Sequence, residues 1–147
     1  MIVLPKAIVD LLKNNPFTRA LYPTDIGYFP FARFHFIKRE NGCSDHILIY
    51  CVDGAGWIEC NGHMDKISKN QYYIIPRHAP HSYGADSATP WTIYWIHFNG
   101  KQSQHFIGSG EFPRSIPEAL NFRYDDRIKL FREMLLLPSV VTCLMIG

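Results

Sequence analysis

The chain has 147 residues, a hydrophobic fraction of 47%, an aromatic fraction of 14% and a formal net charge of +2 at pH 7. This length predicts one domain that buries its core unaided. The small net charge and the scattered basic residues leave no electrostatic footprint of a nucleic-acid-binding surface. The high aromatic fraction is typical of a β-rich fold or a stacking pocket.

Residues 1–27 are predicted to form an N-terminal arm with one short helix. The stretch PKAIVDLLKN, residues 5–14, places Ile8, Leu11 and Leu12 at helical spacing. The apolar run at the start of the chain is too short for a signal peptide and lacks a small-residue cleavage site. Since no segment reaches the length of a membrane span, we expect a cytoplasmic protein without a membrane partner.

From Tyr28 to residue 100 the sequence follows the period-two pattern of β-strands. ARFHFIKR alternates, HILIYCV is a continuous apolar run, and GWIEC meets HMDKI across Asn61-Gly62, a dipeptide typical of a type I′ hairpin. QYYIIP, HSYGAD and PWTIYWIHF follow. Short strands at such regular intervals predict a mainly β fold, an antiparallel barrel or jelly roll over residues 28–100.

Beyond the barrel, residues 101–124 are predicted as a connector that contains proline and glycine. Residues 125–147 are predicted as helices. In DDRIKLFREMLLLP, Asp125 or Asp126 is the expected N-cap of the first helix. Four apolar residues share one face of this helix, namely Ile128, Phe131, Met134 and Leu135.

Pro138 is expected to end this helix, and Ser139 can cap a second helical segment, VVTCLMI, which stops at Gly147. An apolar helix that stops without a polar close indicates a chain cut short. The apolar stripe of the first helix is larger than the open face of the barrel needs, which predicts a homodimer contact through these truncated helices.

The seven histidines raise the question of a metal site, because small barrels of the double-stranded β-helix type, the cupins, often carry metal. Such barrels supply a His-x-His pair, a Glu a few residues on, and a His on a later strand. Here the first position reads His46-Ile47-Leu48, with no second His and no following Glu. Of the expected ligands on later strands, only the His is present, as His81. We therefore predict no metal and no other cofactor.

The four cysteines, at positions 43, 51, 60 and 143, match neither the spacing of a zinc site nor a CxxC redox pair. Cys51 and Cys60 lie in strand-like runs, which favours reduced, half-buried thiols. No Ser-His-Asp order or Cys-His pair stands out either, and no catalytic residue is predicted.

Three segments of the barrel are distinctive in combination: ILIYCVDGAGWIECNG, NQYYIIPRHAPHSYGAD and PWTIYWIHFNG. Their most specific part joins Pro76 and Pro80-His81-x-Tyr83 to Trp91-x-x-x-Trp95-x-x-Phe98. In these residues the chain resembles the N-terminal ligand-binding and dimerisation domain of AraC-type transcriptional regulators. The resemblance implies a cupin-type double-stranded β-helix (jelly-roll) barrel without the metal motif, followed by C-terminal α-helices.

The resemblance also implies a function. In such regulators the barrel binds a small effector, commonly a sugar, and the helices after it form an antiparallel dimer contact. A separate C-terminal domain with two helix-turn-helix motifs binds DNA, and the sequence contains no segment of that kind. Members that respond to pentoses carry an Arg where Arg39 stands, a Tyr at Tyr83 and a Trp at Trp95, but a polar residue where this chain has Ile93.

The alternation of the strands points to the same site. Trp91, Ile93, Trp95 and His97 share one face of their strand, whereas Thr92, Tyr94, Ile96 and Phe98 share the other. An aromatic platform and a charged donor are what a carbohydrate site needs. The predicted ligand contacts are therefore Arg39, His81, Tyr83 and Trp95.

Structural roles compete with these functional ones. Trp91 is better explained as core filler, Arg39 can pair with Glu40 or another surface acid, and His81 can brace the barrel by bonding a backbone carbonyl. For the whole chain, the alternatives to a non-catalytic sensor are a metal-dependent cupin enzyme, an isomerase or oxygenase, and a structural dimerisation domain with a collapsed barrel.

Overall fold

The computed structural model describes the backbone of residues 1–108 and 110–146, and side chains within these ranges up to residue 136. The described strands form two antiparallel sheets, which confirms the predicted mainly β barrel. The larger sheet has the order β1 (Ile2–Val3), β2 (Tyr22–Phe29), β9 (Thr92–Asn99), β4 (His46–Asp53), β7 (Gln71–Ile75) and β10 (Arg114–Ser115). The smaller has the order β3 (Phe36–Arg39), β8 (His81–Ala85), β5 (Ala55–Cys60) and β6 (His63–Ser68).

The hairpin between β5 and β6 has the predicted turn. Cys60 pairs with His63, and the two residues between them, Asn61 and Gly62, have φ angles of 50° and 80°. Positive φ at both central positions defines the type I′ turn, whose twist matches that of the flanking strands. The Asn-Gly dipeptide therefore sets the register of this half of the small sheet.

The core lies between the two sheets and is built from alternate residues of the strands. Ile47, Ile49 and Cys51 of β4 pack inward and are fully buried. The intervening residues Tyr50 and Val52 are buried as well, on the outer face of the large sheet. Burial on both faces explains why this strand reads as a continuous apolar run rather than an alternating one.

The outer face of the large sheet is covered by the long helix α3 (Tyr124–Ile146). Phe131 stacks on Tyr94 and Tyr50, with ring centroids 4.8 and 5.8 Å apart. Ile128 is buried in the same cluster and Leu135 packs against it. The predicted dimer stripe is therefore not an exposed surface, because the sheet itself presents an apolar, aromatic face to the helix.

Two details of α3 differ from the sequence prediction. A 3-10 helix (Glu118–Arg123) leads directly into it, so Asp125 and Asp126 occupy its first turn instead of capping it. The backbone also continues as one helix through Pro138, and no second helix begins at Ser139. An interior proline costs about 3 kcal/mol through one lost hydrogen bond and a steric clash, which helix-favouring neighbours in a long cooperative helix can offset. The predicted stop at Gly147 lies outside the described residues.

The N-terminal arm contains the predicted short helix, α1 (Lys6–Asn14), which packs against β2. The sheet itself begins before residue 28, because β2 pairs with β9 and β1 pairs with β2. The connector after residue 100 carries one further short helix, α2 (Gln104–Ile107). No helix in the described ranges is long and apolar enough to cross a membrane.

Candidate functional site

A cavity of about 510 Å³ opens between the two sheets. Its wall combines aliphatic and aromatic side chains with a few polar ones. The apolar part includes Phe29, Ile37, Ile49, Ile93 and Trp95, and the polar part includes Asp25, His35, Arg39, Tyr83 and His97. A mostly apolar cavity with a few convergent polar groups is the usual architecture of a small-molecule site.

The structure brings Arg39, Tyr83 and Trp95 to this one cavity, as the sequence predicts. Arg39 lies at the end of β3, and its Nη1 donates a hydrogen bond of 3.2 Å to the Tyr83 hydroxyl. The alternative pairing of Arg39 with Glu40 is wrong, because Lys38 holds the Glu40 carboxylate at 3.0 Å. The alternation of β3 turns Lys38 and Glu40 to one side and Arg39 to the other.

His81 lies behind Arg39 and is not part of the cavity wall. It is 5% exposed, its Nδ1 is 2.8 Å from the Ala79 carbonyl oxygen, and its Nε2 is 3.2 Å from Arg39 Nη1. Since a carbonyl only accepts and an arginine only donates, the ring is neutral with its proton on Nδ1. Burial lowers the pKa of His81, and so does the Arg39 charge, against the opposing effect of the Ala79 carbonyl. His81 thus braces the strand and positions Arg39.

Trp95 owes its position to a glycine on the neighbouring strand. It pairs with Gly27 of β2, where a Cβ atom would lie 1.9 Å from Trp95 Cζ2. The indole therefore lies across the bare backbone of Gly27, in space that any larger residue would fill. One face of the ring rests on the strand, which leaves the indole as a flat wall of the cavity.

Asp25 reaches the cavity through an irregularity of β2. The register between β2 and β9 shifts between Pro23 and Asp25, and Asp25 then pairs with His97. Such a bulge re-aims the side chain that follows it. One oxygen of Asp25, Oδ1, is shielded from solvent and has no hydrogen-bond partner among the described residues.

His97 and His35 complete the polar part of the wall. Burial lowers the pKa of His97, while the Asp25 carboxylate opposes that shift. Burial also lowers the pKa of His35, whose Nδ1 accepts a hydrogen bond of 3.3 Å from the indole Nε1 of Trp91. Both imidazoles therefore favour the neutral form.

The two faces of β9 carry the two sets of side chains that the alternation predicts. Ile93, Trp95 and His97 line the cavity, whereas Ile96 and Phe98 lie on the outer face, at a second, apolar cavity of about 410 Å³ that also includes Met134 of α3. Trp91 has 0% exposure and belongs to the core, in agreement with its structural explanation.

Asp25 was not predicted as a site residue. The residue lies within the predicted N-terminal arm, before the period-two pattern starts, and the bulge that turns it inward leaves no mark in the alternation. His97, by contrast, shares a face with Trp95 in the sequence itself, so the alternation was a sufficient signal for its position.

Within the described residues, no group of three or more His, Cys, Asp or Glu side chains is arranged to hold a metal ion. His46, at the first metal position of the cupin pattern, instead accepts a hydrogen bond of 3.0 Å on Nδ1 from the backbone N–H of Arg77. His81 uses both ring nitrogens, as described above. The absence of a metal in the protein stays a prediction.

Two buried cysteines of the barrel, Cys51 and Cys60, are not activated thiols. Burial raises the pKa of Cys51 to about 12 and also raises that of Cys60. Cys43, Cys51 and Cys60 are all unpaired thiols. Because the thiolate is the reactive form, the raised pKa makes Cys51 and Cys60 packing elements rather than nucleophiles at pH 7.

The two sheets, the shared core and the cavity between them define a cupin-type ligand-binding barrel. Residues 28–135 match the family described as the AraC-like ligand binding domain, and the chain belongs to this family. It is also 32% identical over 117 residues to the MmsAB operon regulatory protein of Pseudomonas aeruginosa. That match covers 75% of this chain and 38% of the relative, so the chain spans little more than a third of the relative's length.

Among solved structures, the chain is similar to KdgF from Halomonas sp., at 19% identity and a TM-score of 0.40, over 60% of this chain and 76% of that one. The cupin domain of Cnp3 from Schizosaccharomyces pombe is 15% identical with a TM-score of 0.39, over 60% of this chain and 74% of the other. Oxalate decarboxylase from Bacillus subtilis is 14% identical with a TM-score of 0.43, over 64% of this chain and 25% of the enzyme.

Proposed function

We propose that the chain is the sensing module of an AraC-type transcriptional regulator, which binds a small effector in the cavity between the sheets. The observation that carries the proposal is the convergence of Arg39, Tyr83 and Trp95 on one cavity. Binding is not followed by chemistry, and it controls DNA binding by a separate domain of a cytoplasmic regulator. The family match and the regulatory relative support this assignment.

A carbohydrate is the effector class that the sequence predicts, and part of the cavity wall supports it. The flat indole of Trp95 offers a surface for the C–H face of a sugar ring. Arg39 Nη1 and the Tyr83 hydroxyl oxygen lie 3.2 Å apart, so the two side chains can donate hydrogen bonds to neighbouring oxygens of one ligand.

Dimerisation through α3 remains part of the proposal, with a different set of residues in contact. The four stripe residues, Ile128, Phe131, Met134 and Leu135, face their own barrel. Leu130 and Leu136 are 60% and 64% exposed on the same helix, and we assign the contact to them. Sedimentation of a Leu130→Asp, Leu136→Asp double variant should show fewer dimers than the wild type, and an unchanged distribution would place the contact elsewhere.

The effector site is tested by a thermal-shift screen of small metabolites on the wild type. A ligand at a hundred times its dissociation constant adds about 2.7 kcal/mol of stability. For any ligand found, Trp95→Ala should abolish most of the shift. Ile96→Ala is the matched control on the outer face of the same strand, and it should lower stability without changing the affinity of the folded protein.

The opposite result would place the effector site on the other face of β9. If Ile96→Ala lost binding while Trp95→Ala kept it, the effector would occupy the outer apolar cavity and the proposed site would be wrong. Both variants must be compared at the same fraction folded, since truncating either side chain also removes packing.

A further inference from the structure

The cavity holds two opposite charges that are not paired with each other. Within the described residues, Arg39 has no acidic partner, since the salt bridges there join Lys38 to Glu40 and His63 to Asp65. Asp25 lines the same cavity and forms no salt bridge in the described part of the chain. A desolvated charge without a partner raises the free energy of the folded protein. Such groups commonly find their partner in a bound ligand.

The donors around Arg39 converge. Tyr83 accepts its hydrogen bond from Arg39 Nη1, which leaves the phenolic hydrogen free to donate. Arg39 uses Nη1 for both Tyr83 and His81, and its other N–H groups make no hydrogen bond within the described residues. Because His81 is neutral, the positive charge of this corner comes from Arg39. Arg39 and Tyr83 therefore form a cationic subsite with free donors, and the Asp25 carboxylate, whose charge also acts on Tyr83, is the acceptor beside it.

The apolar part of the wall discriminates against the hydroxyl groups of a neutral sugar. Ile37, Ile49, Ile93 and Phe29 offer no hydrogen bond to a hydroxyl. If a sugar hydroxyl were buried against these side chains without a hydrogen-bond partner, the binding free energy would be less favourable by about 1–3 kcal/mol. A ligand whose polar groups lie at the Arg39 and Asp25 corner and whose carbons face the isoleucines avoids that cost.

We propose that the effector carries a carboxylate that binds Arg39 and Tyr83, together with a hydroxyl or ammonium group that donates to Asp25. Its carbon atoms pack on Trp95 and the isoleucines. The ligand is thus a small hydroxy or amino acid or a sugar acid, classes that share this chemistry. The inference rests on the proposed function and narrows the effector predicted from sequence to an acidic one.

The experiment compares matched acid and neutral probes by NMR on protein labelled with ¹⁵N at tryptophan. The pairs are acetate with acetamide, lactate with propane-1,2-diol, and D-galacturonate with D-galactose. Such small fragments bind with dissociation constants of about 1 mM at best, so titrations extend to about 50 mM. The Trp95 indole reports on the cavity, and the indole of Trp57, which packs on Phe36 outside it, is the internal control.

The expected result is a saturable shift of Trp95, but not of Trp57, with the acid of at least one pair and a weaker response to its neutral partner. Arg39→Gln should weaken acid binding about tenfold or more, and Arg39→Lys should restore part of it, since lysine keeps the charge without the planar fork. Asp25→Ala should reduce the preference for lactate over acetate, because acetate has no group for Asp25 to bind. The acid that binds most tightly distinguishes a sugar acid from a shorter one.

Two results would overturn the inference. If no acid shifts Trp95 at these concentrations, the cationic subsite does not bind carboxylates. If D-galactose binds as well as D-galacturonate and Arg39→Gln changes neither affinity, the effector is neutral. In the second case the cavity is still the proposed effector site, and only the acidic nature of the effector is wrong. Binding that is insensitive to Trp95→Ala would instead contradict the proposed function.

Discussion

Replacing Gly27 with alanine should displace Trp95 without breaking the barrel. The new Cβ would lie 1.9 Å from Trp95 Cζ2, whereas ordinary van der Waals contact begins at 3.4 Å. The three closest atoms all belong to the Trp95 ring, and none belongs to the backbone. The half-buried indole can therefore move into the adjacent cavity, and the strand need not shift.

The cost in stability follows from two opposing effects. Overpacking a site of this kind costs about 1–3 kcal/mol. Alanine also restricts the unfolded chain relative to glycine, which contributes about 0.4–1 kcal/mol in the stabilising direction where the backbone is compatible. The expected net loss for Gly27→Ala is about 1–2 kcal/mol of unfolding free energy, together with a clear decrease in effector affinity.

Gly56→Ala is the matched control. Its Cβ would lie 2.1 Å from the ring of Trp91 and 2.6 Å from the backbone oxygen of Gly84. Because Trp91 is fully buried and a backbone carbonyl cannot rotate away, this variant should lose about 3 kcal/mol or more. Urea unfolding measures both losses, and the Trp95 indole resonance monitors the ring. Wild-type stability with an unmoved Trp95 resonance in Gly27→Ala would refute this account of the platform.

Three further outcomes are expected. Phe131→Ala should cost about 3 kcal/mol in urea unfolding because it removes two aromatic stacks, whereas Lys129→Ala, at an exposed position of the same helix, should stay within about 0.5 kcal/mol. Gly62→Ala should cost about 1 kcal/mol through its φ of 80° alone, since nothing lies within 4 Å of the new methyl, and a neutral result would contradict the turn assignment. Burial lowers the pKa of His46 and of the three other histidines discussed above, so below about pH 6.5 the unfolded chain takes up protons that the folded chain resists. Unfolding free energy should therefore fall as the pH is lowered through about 6.5, and a flat profile there would be incompatible with these shifts.

Local chemistry explains the parts of the fold that the sequence predicted correctly. The Asn61-Gly62 turn needs two positive φ angles, which few other dipeptides tolerate. The alternation of Ile93, Trp95 and His97 separated the inner face of β9 from the outer one because side chains in a strand point to opposite faces. Both signals lie within a few residues of the feature they predict.

The parts that were missed depend on partners distant in sequence. The apolar face of Phe131 looked like a dimer surface because nothing in its own segment shows that Tyr50 and Tyr94 cover it. Asp25 escaped notice because a bulge against β9 decides where its side chain lies. The continuation of α3 through Pro138 likewise reflects the cooperativity of the whole helix rather than the propensity of one residue.

The first strand has a practical consequence for how the protein is produced. β1 begins at Ile2 and pairs with β2, and Met1 before it lines the cavity. An affinity tag fused ahead of Met1 would start at the proposed binding site, where a histidine tract would bring imidazoles and purification metal beside Asp25 and His97. Ligand screens on such material would report on the tag as well as on the barrel, so a cleavable tag at the other end of the chain is the better choice.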